Sequence, residues 1–251
     1  MHHSDSATVT TVDTLAKLLD VCGELRASEQ VDERAVTGCS FDSRAVSAGD
    51  VFFCKGAAFK LAFLRMALDA GAVAFVCEES LVESLEPLAQ ESGAAMLVVD
   101  SVRTAMALLP PEVYDRPDHD VKIVGITGTK GKTTAAFMLQ SIIKAAGESC
   151  GMIGSVSTDD GIECYESTNT TPEAPEVWRH IANCRTSGRQ SMVMEVSSQA
   201  LKYQRVENLP FDVACFLNIG RDHISPIEHP TFEDYFESKL RIFDQAKTAV
   251  V

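Results

Sequence analysis

The residues most able to do chemistry lie in one short run, Gly125-Ile126-Thr127-Gly128-Thr129-Lys130-Gly131-Lys132-Thr133-Thr134. It fits the pattern G-x-x-x-x-G-K-[ST], a glycine-rich loop whose backbone N–H groups cradle phosphate oxygens. The glycines let the chain curl without Cβ clashes. A helix starting at the loop would add its own positive end. In such a loop Lys132 contacts the outer phosphates and the Thr133 hydroxyl ligates a magnesium ion. Gly128, Thr129, Lys130, Gly131 and Thr134 complete the nucleotide-binding set. The alternative is a glycine-rich turn that fits by chance. A loop of this kind does not by itself separate a kinase, a GTPase and a ligase.

Loops of this kind need a carboxylate at the end of a neighbouring apolar strand to hold the metal. Ser191-Met192-Val193-Met194-Glu195 supplies one in Glu195. The bland reading is a solvated acid at a strand end.

The surrounding chain alternates between strand and helix patterns, as a layered α/β protein requires. Residues 51–54, 72–77 and 94–99 read as strands, and 61–70, 80–91 and 101–109 as helices. Residues 11–22 carry apolar positions at a helical spacing. Three prolines within 110–120 predict a linker. They suggest an N-terminal domain over 1–117 and a phosphate-loop domain over 118–251. In the second part, 121–127, 149–155, 191–196 and 211–219 read as strands. Residues 132–146, 172–186 and 232–243 read as helices, with Pro172 in a first turn. Residues 248–251 open a further strand, which suggests that the chain stops partway through a sheet. The expected fold is therefore α/β, with a mainly parallel sheet in the ATPase-type domain.

Composition excludes several classes. The chain has 251 residues, 45% hydrophobic and 23% charged, with a net charge of −14. That charge argues against a nucleic-acid partner. Residues 1–120 hold 9 basic and 20 acidic residues, and 121–251 hold 13 and 16. The half with the phosphate loop is the less acidic, as an anionic ligand prefers. No apolar run approaches the roughly 20 residues of a membrane span, so no membrane insertion is expected. The eight cysteines form no C-x-x-C, which disfavours structural zinc and fits a reducing cytoplasm.

Four stretches together resemble the Mur ligases, the ATP-dependent amide-forming enzymes of peptidoglycan precursor synthesis. Asp42-Ser43-Arg44 followed by Ala48-Gly49-Asp50-Val51-Phe52 is similar to the family's uridine-binding segment. The phosphate loop is the second stretch, and Asn169-Thr170-Thr171-Pro172 resembles the substrate loop. The fourth runs from Met194-Glu195-Val196-Ser197-Ser198 through Arg205, Asn218, Arg221-Asp222-His223 and Tyr235 to Phe243.

This resemblance implies that ATP phosphorylates a carboxylate of a UDP-muramoyl dipeptide and that an amino acid's amine then displaces phosphate. It implies two magnesium ions, held by Thr133, Glu195, His223 and a carbamylated Lys239. Lys132, Glu195, His223 and Lys239 would be the catalytic residues. Ser43 and Arg44 would bind the UDP moiety, although a polar turn explains them as well. Asn169, Thr170, Thr171, Ser197 and Arg205 would bind the muramoyl peptide. Asn218 would lie on the adenine side. A cytoplasmic monomer serving cell-wall biogenesis, cell shape and division is implied. Lys130 and Gln199 depart from the family's usual Asn and His. The family also has a third, C-terminal domain beyond the point where this chain stops, so the isolated 251 residues are expected to be poorly active. Two other readings stay open: a related ligase acting on another acid, and a phosphate-loop nucleotide-binding protein without ligase activity.

Overall fold

The computed structural model describes residues 12–14, 24–26, 35–222 and 224–251. The chain divides into two compact units. One comprises residues 1–105 and 112–115, the other 106–111 and 116–251.

In the first unit β1 (Val12–Thr14) pairs with β3 (Ala35–Val36), antiparallel. The helical reading of 11–22 therefore fails at 12–14, where strand pairing overrides the local apolar spacing. The remainder of that stretch lies outside the described residues. A five-stranded sheet follows the order β2-β7-β6-β5-β4, built from Glu24–Arg26, Ala95–Val99, Ala74–Glu78, Asp50–Phe53 and Gly38–Ser40. Only β2 runs antiparallel to its neighbour. The helices α1 (Leu61–Asp69) and α2 (Val82–Ser92) send Leu64 and Leu85 onto Phe52, Phe75 and Met96 of the sheet. Burial on both faces explains the near-continuous apolar character of these strands.

The helix α3 (Val102–Val113) runs through Pro110 and Pro111, which had been expected to begin a linker. Each proline removes a helical donor. However, Val102, Ala105, Met106, Leu109 and Val113 are buried at three- and four-residue spacing. That apolar stripe keeps the helix intact despite the lost hydrogen bonds. A single 3-10 turn, Pro117–His119, follows.

The second unit holds a seven-stranded sheet in the order β11-β10-β9-β12-β8-β13-β14. Its parallel part comprises β9 (Cys150–Ile153), β12 (Ser191–Glu195), β8 (Lys122–Thr127), β13 (Phe211–Phe216) and β14 (Ala246–Val250). The strands β10 (Ser157–Asp159) and β11 (Cys164–Glu166) extend it as an antiparallel hairpin that the sequence reading missed. They are too short, and β11 too exposed, to leave a periodic signal.

Among the described residues four helices lie wholly within this unit: α4 (Lys132–Ala145), α5 (Ala174–Thr186), the short α6 (Ser198–Lys202) and α7 (Phe232–Leu240). Pro172 lies outside α5; Pro175 takes the first-turn position, behind a capping box formed by Glu173 and Glu176. The chain after α7 tightens into a 3-10 turn, Arg241–Gln245, where a continued helix was expected. Ala136 of α4 packs on Ile126, Cys150, Met152 and Val193. The strand β8 thus sits mid-sheet, with β12 and β13 on either side. Open α/β sheets bind ligands at the carboxyl ends of such strands, where the winding reverses.

Candidate active site

Three strand ends meet at one place. β8 ends at Thr127, β12 at Glu195 and β13 at Phe216, and parallel register puts all three on the same edge. The phosphate loop joins β8 to α4. Gly131 caps that helix with φ +86°, a left-handed conformation that L side chains rarely adopt. The loop is held from β13's side. Asn218 Oδ1 accepts from the N–H groups of Thr129 and Lys130, both at 3.1 Å, and its Nδ2 donates to Lys130 O at 2.9 Å. The Asn218 amide, expected toward adenine, is thus engaged with the loop backbone.

Glu195 is buried, at 1% exposure. Its Oε2 accepts from Thr133 Oγ1 at 3.0 Å, and its Oε1 accepts from the backbone N–H of Ser155 at 2.8 Å. Ser155 Oγ lies 3.2 Å from Glu195 Oε2 and 2.9 Å from Thr170 Oγ1. Glycine at 154 is required here, because a Cβ would come within 2.6 Å of Glu195 Oε1. The Thr133 hydroxyl and the Glu195 carboxylate form a hard oxygen pair that suits a magnesium ion. The solvated strand-end reading of Glu195 does not survive this burial.

Two lysines converge on the loop. Lys132 Nζ donates to Gly128 O at 2.9 Å, and Lys239 Nζ, from α7, donates to the same oxygen at 3.0 Å. Lys239 is 1% exposed and lies over the Tyr235 ring at 4.8 Å. Burial, helped by the nearby Lys132 charge, pushes the Lys239 ammonium down to about 7. Burial also lowers Lys132, against the opposing pull of Glu195 and Asp222. The solvated-lysine reading of residue 239 fails for the same reason: α7 turns that face inward.

The substrate-loop candidates flank this site. Thr171 Oγ1 donates to Glu195 O at 2.9 Å and accepts from Ser197 N at 3.1 Å. Arg205 Nη1 donates to Thr171 O at 3.1 Å, while its Nε lies 3.1 Å from the Glu173 carboxylate. A cavity of about 250 Å³ is lined by Lys132, Lys239, Thr170, Thr171, Ser197 and Arg205, and also by Asn169. The cavity also touches Glu228, which sequence reasoning did not single out, and Ser198 and Tyr235, which lay inside the family-like stretch but were given no role. Tyr235 stands one helical turn before Lys239, a spacing that would have flagged it. Ser155 had no such signal.

His223 lies outside the described residues. Ser43 and Arg44 belong to the other unit. Ser43 is buried, and Arg44 is exposed and clamps Asp42 through Nε at 2.9 Å and Nη2 at 2.6 Å. This hydrogen-bonded guanidinium is the main reason the Asp42 carboxyl falls below its ordinary value.

A second polar cluster sits away from the loop. His180, fully buried, bonds Asp160 Oδ2 through Nδ1 at 2.6 Å and Tyr165 OH through Nε2 at 2.9 Å. Asn183 also donates to Asp160 Oδ2, at 2.8 Å, and Glu163 pairs with Arg179. Asp160, Glu163 and His180 are close enough to suggest a metal site, yet both imidazole nitrogens already have protein partners. The cluster ties the β10–β11 hairpin to α5.

Residues 126–251 match the model of the Mur ligase middle domain. The chain is 42% identical over 229 residues to the UDP-N-acetylmuramoyl-L-alanyl-D-glutamate--L-lysine ligase of Enterococcus faecalis, covering 90% of this chain and 44% of that protein. It is 37% identical over 248 residues to the ligase of the same name from Streptococcus suis, covering 96% and 50%. The chain therefore spans about half the length of these relatives. Among solved structures, a UDP-N-acetylmuramoyl-L-alanyl-D-glutamate--2,6-diaminopimelate ligase superposes with a TM-score of 0.72 at 22% identity, covering 95% of this chain and 46% of that one. MurF from Acinetobacter baumannii gives 0.65 at 22%, covering 94% and 48%. These structures share the fold. Matched across half its length by the middle-domain model, and carrying a phosphate loop at the end of β8, the chain belongs to the Mur ligase family.

Proposed function

We propose that this chain supplies the nucleotide- and muramoyl-peptide-binding parts of an ATP-dependent, ADP-forming ligase. The ligase joins an amino acid to UDP-N-acetylmuramoyl-L-alanyl-D-glutamate. The names of the relatives from Enterococcus faecalis and Streptococcus suis favour L-lysine as that amino acid. One observation carries the reading: two lysines, the Thr133–Glu195 pair and Arg205 surround or adjoin one polar cavity at the end of β8 and β12.

In this reading the loop N–H groups and Lys132 bind the ATP phosphates and orient the outermost one. Thr133 and Glu195 would hold magnesium, which would supply positive charge against the transferred phosphoryl group. Thr170, Thr171, Ser197 and Arg205 present hydroxyls and a guanidinium suited to the substrate's carboxylate and diphosphate oxygens. The D-glutamate carboxylate accepts the phosphoryl group, and the incoming amine displaces phosphate from it. Positioned cations supply most of the stabilisation, since charge develops on oxygen throughout.

Lys239 is proposed to carry a carbamate and, with His223, to serve a second magnesium. Its burial and its low ammonium pKa support this, because only a neutral amine adds carbon dioxide. Ser43 and Arg44 are proposed to bind the uridine diphosphate. The domains are proposed as 1–117 and 118–251. We further propose a cytoplasmic monomer acting in cell-wall synthesis, and hence in cell shape and division. Among the described residues no helix is long and apolar enough to cross a membrane.

The test is calorimetric titration with UDP-N-acetylmuramoyl-L-alanyl-D-glutamate and with analogues lacking the uridine or the D-glutamate. Binding that needs both groups supports the reading. Binding that is indifferent to either overturns it.

A further inference from the structure

An amine ligase needs a group that its cation-rich site does not obviously contain. An amino acid arrives as an ammonium ion, which has no lone pair to attack with. A base must take one proton first. Among the described residues the carboxylates near the cavity are engaged or charge-paired, Asp222 with the nearby Lys132 and Lys239 charges. Glu195 accepts from Thr133 and Ser155. Glu228 accepts from Gln199 Nε2 at 2.8 Å. Lys132 and Lys239 both donate to Gly128 O.

A further polar chain among the described residues starts on the cavity wall. Ser198, the first residue of α6, lines the cavity and is 5% exposed. Its Oγ lies 2.9 Å from His229 Nε2. His229 is fully buried, and its Nδ1 lies 2.6 Å from Asp234 Oδ2. Asp234 stands in the first turn of α7, where the helix end favours a negative charge. Lys202 Nζ, from α6, is 2.8 Å from the same oxygen, and donates also to Glu228 O at 3.0 Å. The Tyr235 ring meets the imidazole edge-on at 5.1 Å. Among the described residues, Asp234, Lys202, Glu228 and Tyr235 are the titratable groups seen against His229 or its partners. The Lys202 hydrogen bond chiefly, and that of His229 in addition, hold the Asp234 carboxyl below its ordinary value against the opposing effect of burial.

An ionised Asp234 can only accept, so His229 Nδ1 carries a proton. In the ring form that can act as a base, Nε2 is then the acceptor and Ser198 donates to it. Its oxygen presents lone pairs on the side away from His229. Such an oxygen is a poor partner for a phosphate and a good one for an ammonium N–H.

Resting on the ligase reading above, we propose that Ser198, His229 and Asp234 form the proton relay that deprotonates the incoming amine. A proton passes from the ammonium to Ser198 Oγ as the Ser198 hydroxyl proton passes to His229 Nε2. His229 becomes an imidazolium, stabilised by the Asp234 carboxylate. The freed lone pair forms the C–N bond at the acyl carbon. The C–O bond to phosphate breaks, and the departing phosphate takes its electron pair and the second amine proton. His229 returns its proton to water through Ser198 when product leaves. Ser198 is the residue that touches substrate; His229 and Asp234 act through it.

Hydroxylamine separates this role from a structural one. It is an uncharged nucleophile near neutral pH and traps an acyl phosphate as a hydroxamate without needing a base. The complete ligase that contains this chain is assayed with ATP and UDP-N-acetylmuramoyl-L-alanyl-D-glutamate, once with L-lysine and once with hydroxylamine. In Ser198→Ala and His229→Gln the ratio of amide to hydroxamate should fall about 100-fold, the lower range for a lost general base. It should recover as the pH is raised, because free amine then needs no relay. An unchanged ratio overturns the relay, and so does a parallel loss of both products, which marks a structural role. If His229→Gln does not fold, Ser198→Ala decides alone. A wild-type protein that yields no hydroxamate overturns the ligase reading itself, whatever the variants do.

Discussion

Thr133 Oγ1 donates to Glu195 Oε2 across 3.0 Å, joining the first turn of α4 to the last residue of β12. The pair is 62 residues apart in sequence and adjacent only because β8 and β12 run parallel in register. Ser155 braces the same carboxylate from β9's side, through its N–H at 2.8 Å. Ser155→Ala keeps that N–H and removes the hydroxyl contact. It is expected to weaken Mg²⁺-dependent ATP binding about tenfold, as loss of an outer partner to a metal ligand does. Glu195→Gln should remove the magnesium dependence altogether. Calorimetry of ATP binding with and without magnesium reads both, and an unaltered dependence in Glu195→Gln would exclude the assignment.

Lys239 sets a pH dependence of stability. Its ammonium is lowered from 10.5 to about 7 in the folded chain. Between those values the unfolded chain binds a proton that the folded chain does not, so stability rises with pH. Below about 7 both states are protonated and the burial penalty is fully present. Urea midpoints of the nucleotide-free chain should therefore climb from pH 7 to 9. In Lys239→Met the climb should be smaller. Equal slopes for both chains would refute the assignment.

Arg205 holds the loop at Thr171, the proposed substrate loop, by a donated hydrogen bond to Thr171 O and an ion pair with Glu173. Lysine cannot reproduce that fork. Arg205→Lys is expected to weaken UDP-muramoyl dipeptide binding at least tenfold, about 1.5 kcal/mol for one charged hydrogen bond. ATP affinity should change far less. Separate titrations with the two ligands check this, and a joint loss would point to collapse of the loop.

His180→Ala should destabilise the second unit by about 3 kcal/mol, because it leaves buried Asp160 without one of its two shortest hydrogen bonds. The damage should be local at first. Amide hydrogen exchange should accelerate in β10 and β11 before it does in β8 or β12. Uniform acceleration across the sheet would contradict the pinning role.

The phosphate loop, its flanking strand and helix, and the Glu195 strand were legible in the sequence. Each is a local pattern: fixed glycine spacing, an apolar run, then a helical period. The family resemblance extended that reading to Lys239 and Arg205. Helix α3 was misread at Pro110 because the buried stripe that sustains it is a packing effect. The β10–β11 hairpin was missed because its three-residue strands carry no period.

The sequence by itself determined which residues can do chemistry and the α/β frame that carries them. Tertiary structure decided what each one faces. Lys239 looks like an ordinary helix lysine until α7 turns it under the loop, and burial then drives its ammonium down to about 7. Ser198, His229 and Asp234 are up to 36 residues apart in the chain and meet only where α6, α7 and the loop between β13 and α7 pack together. Proximity of that kind depends on long-range packing, and no local pattern of residue types encodes it.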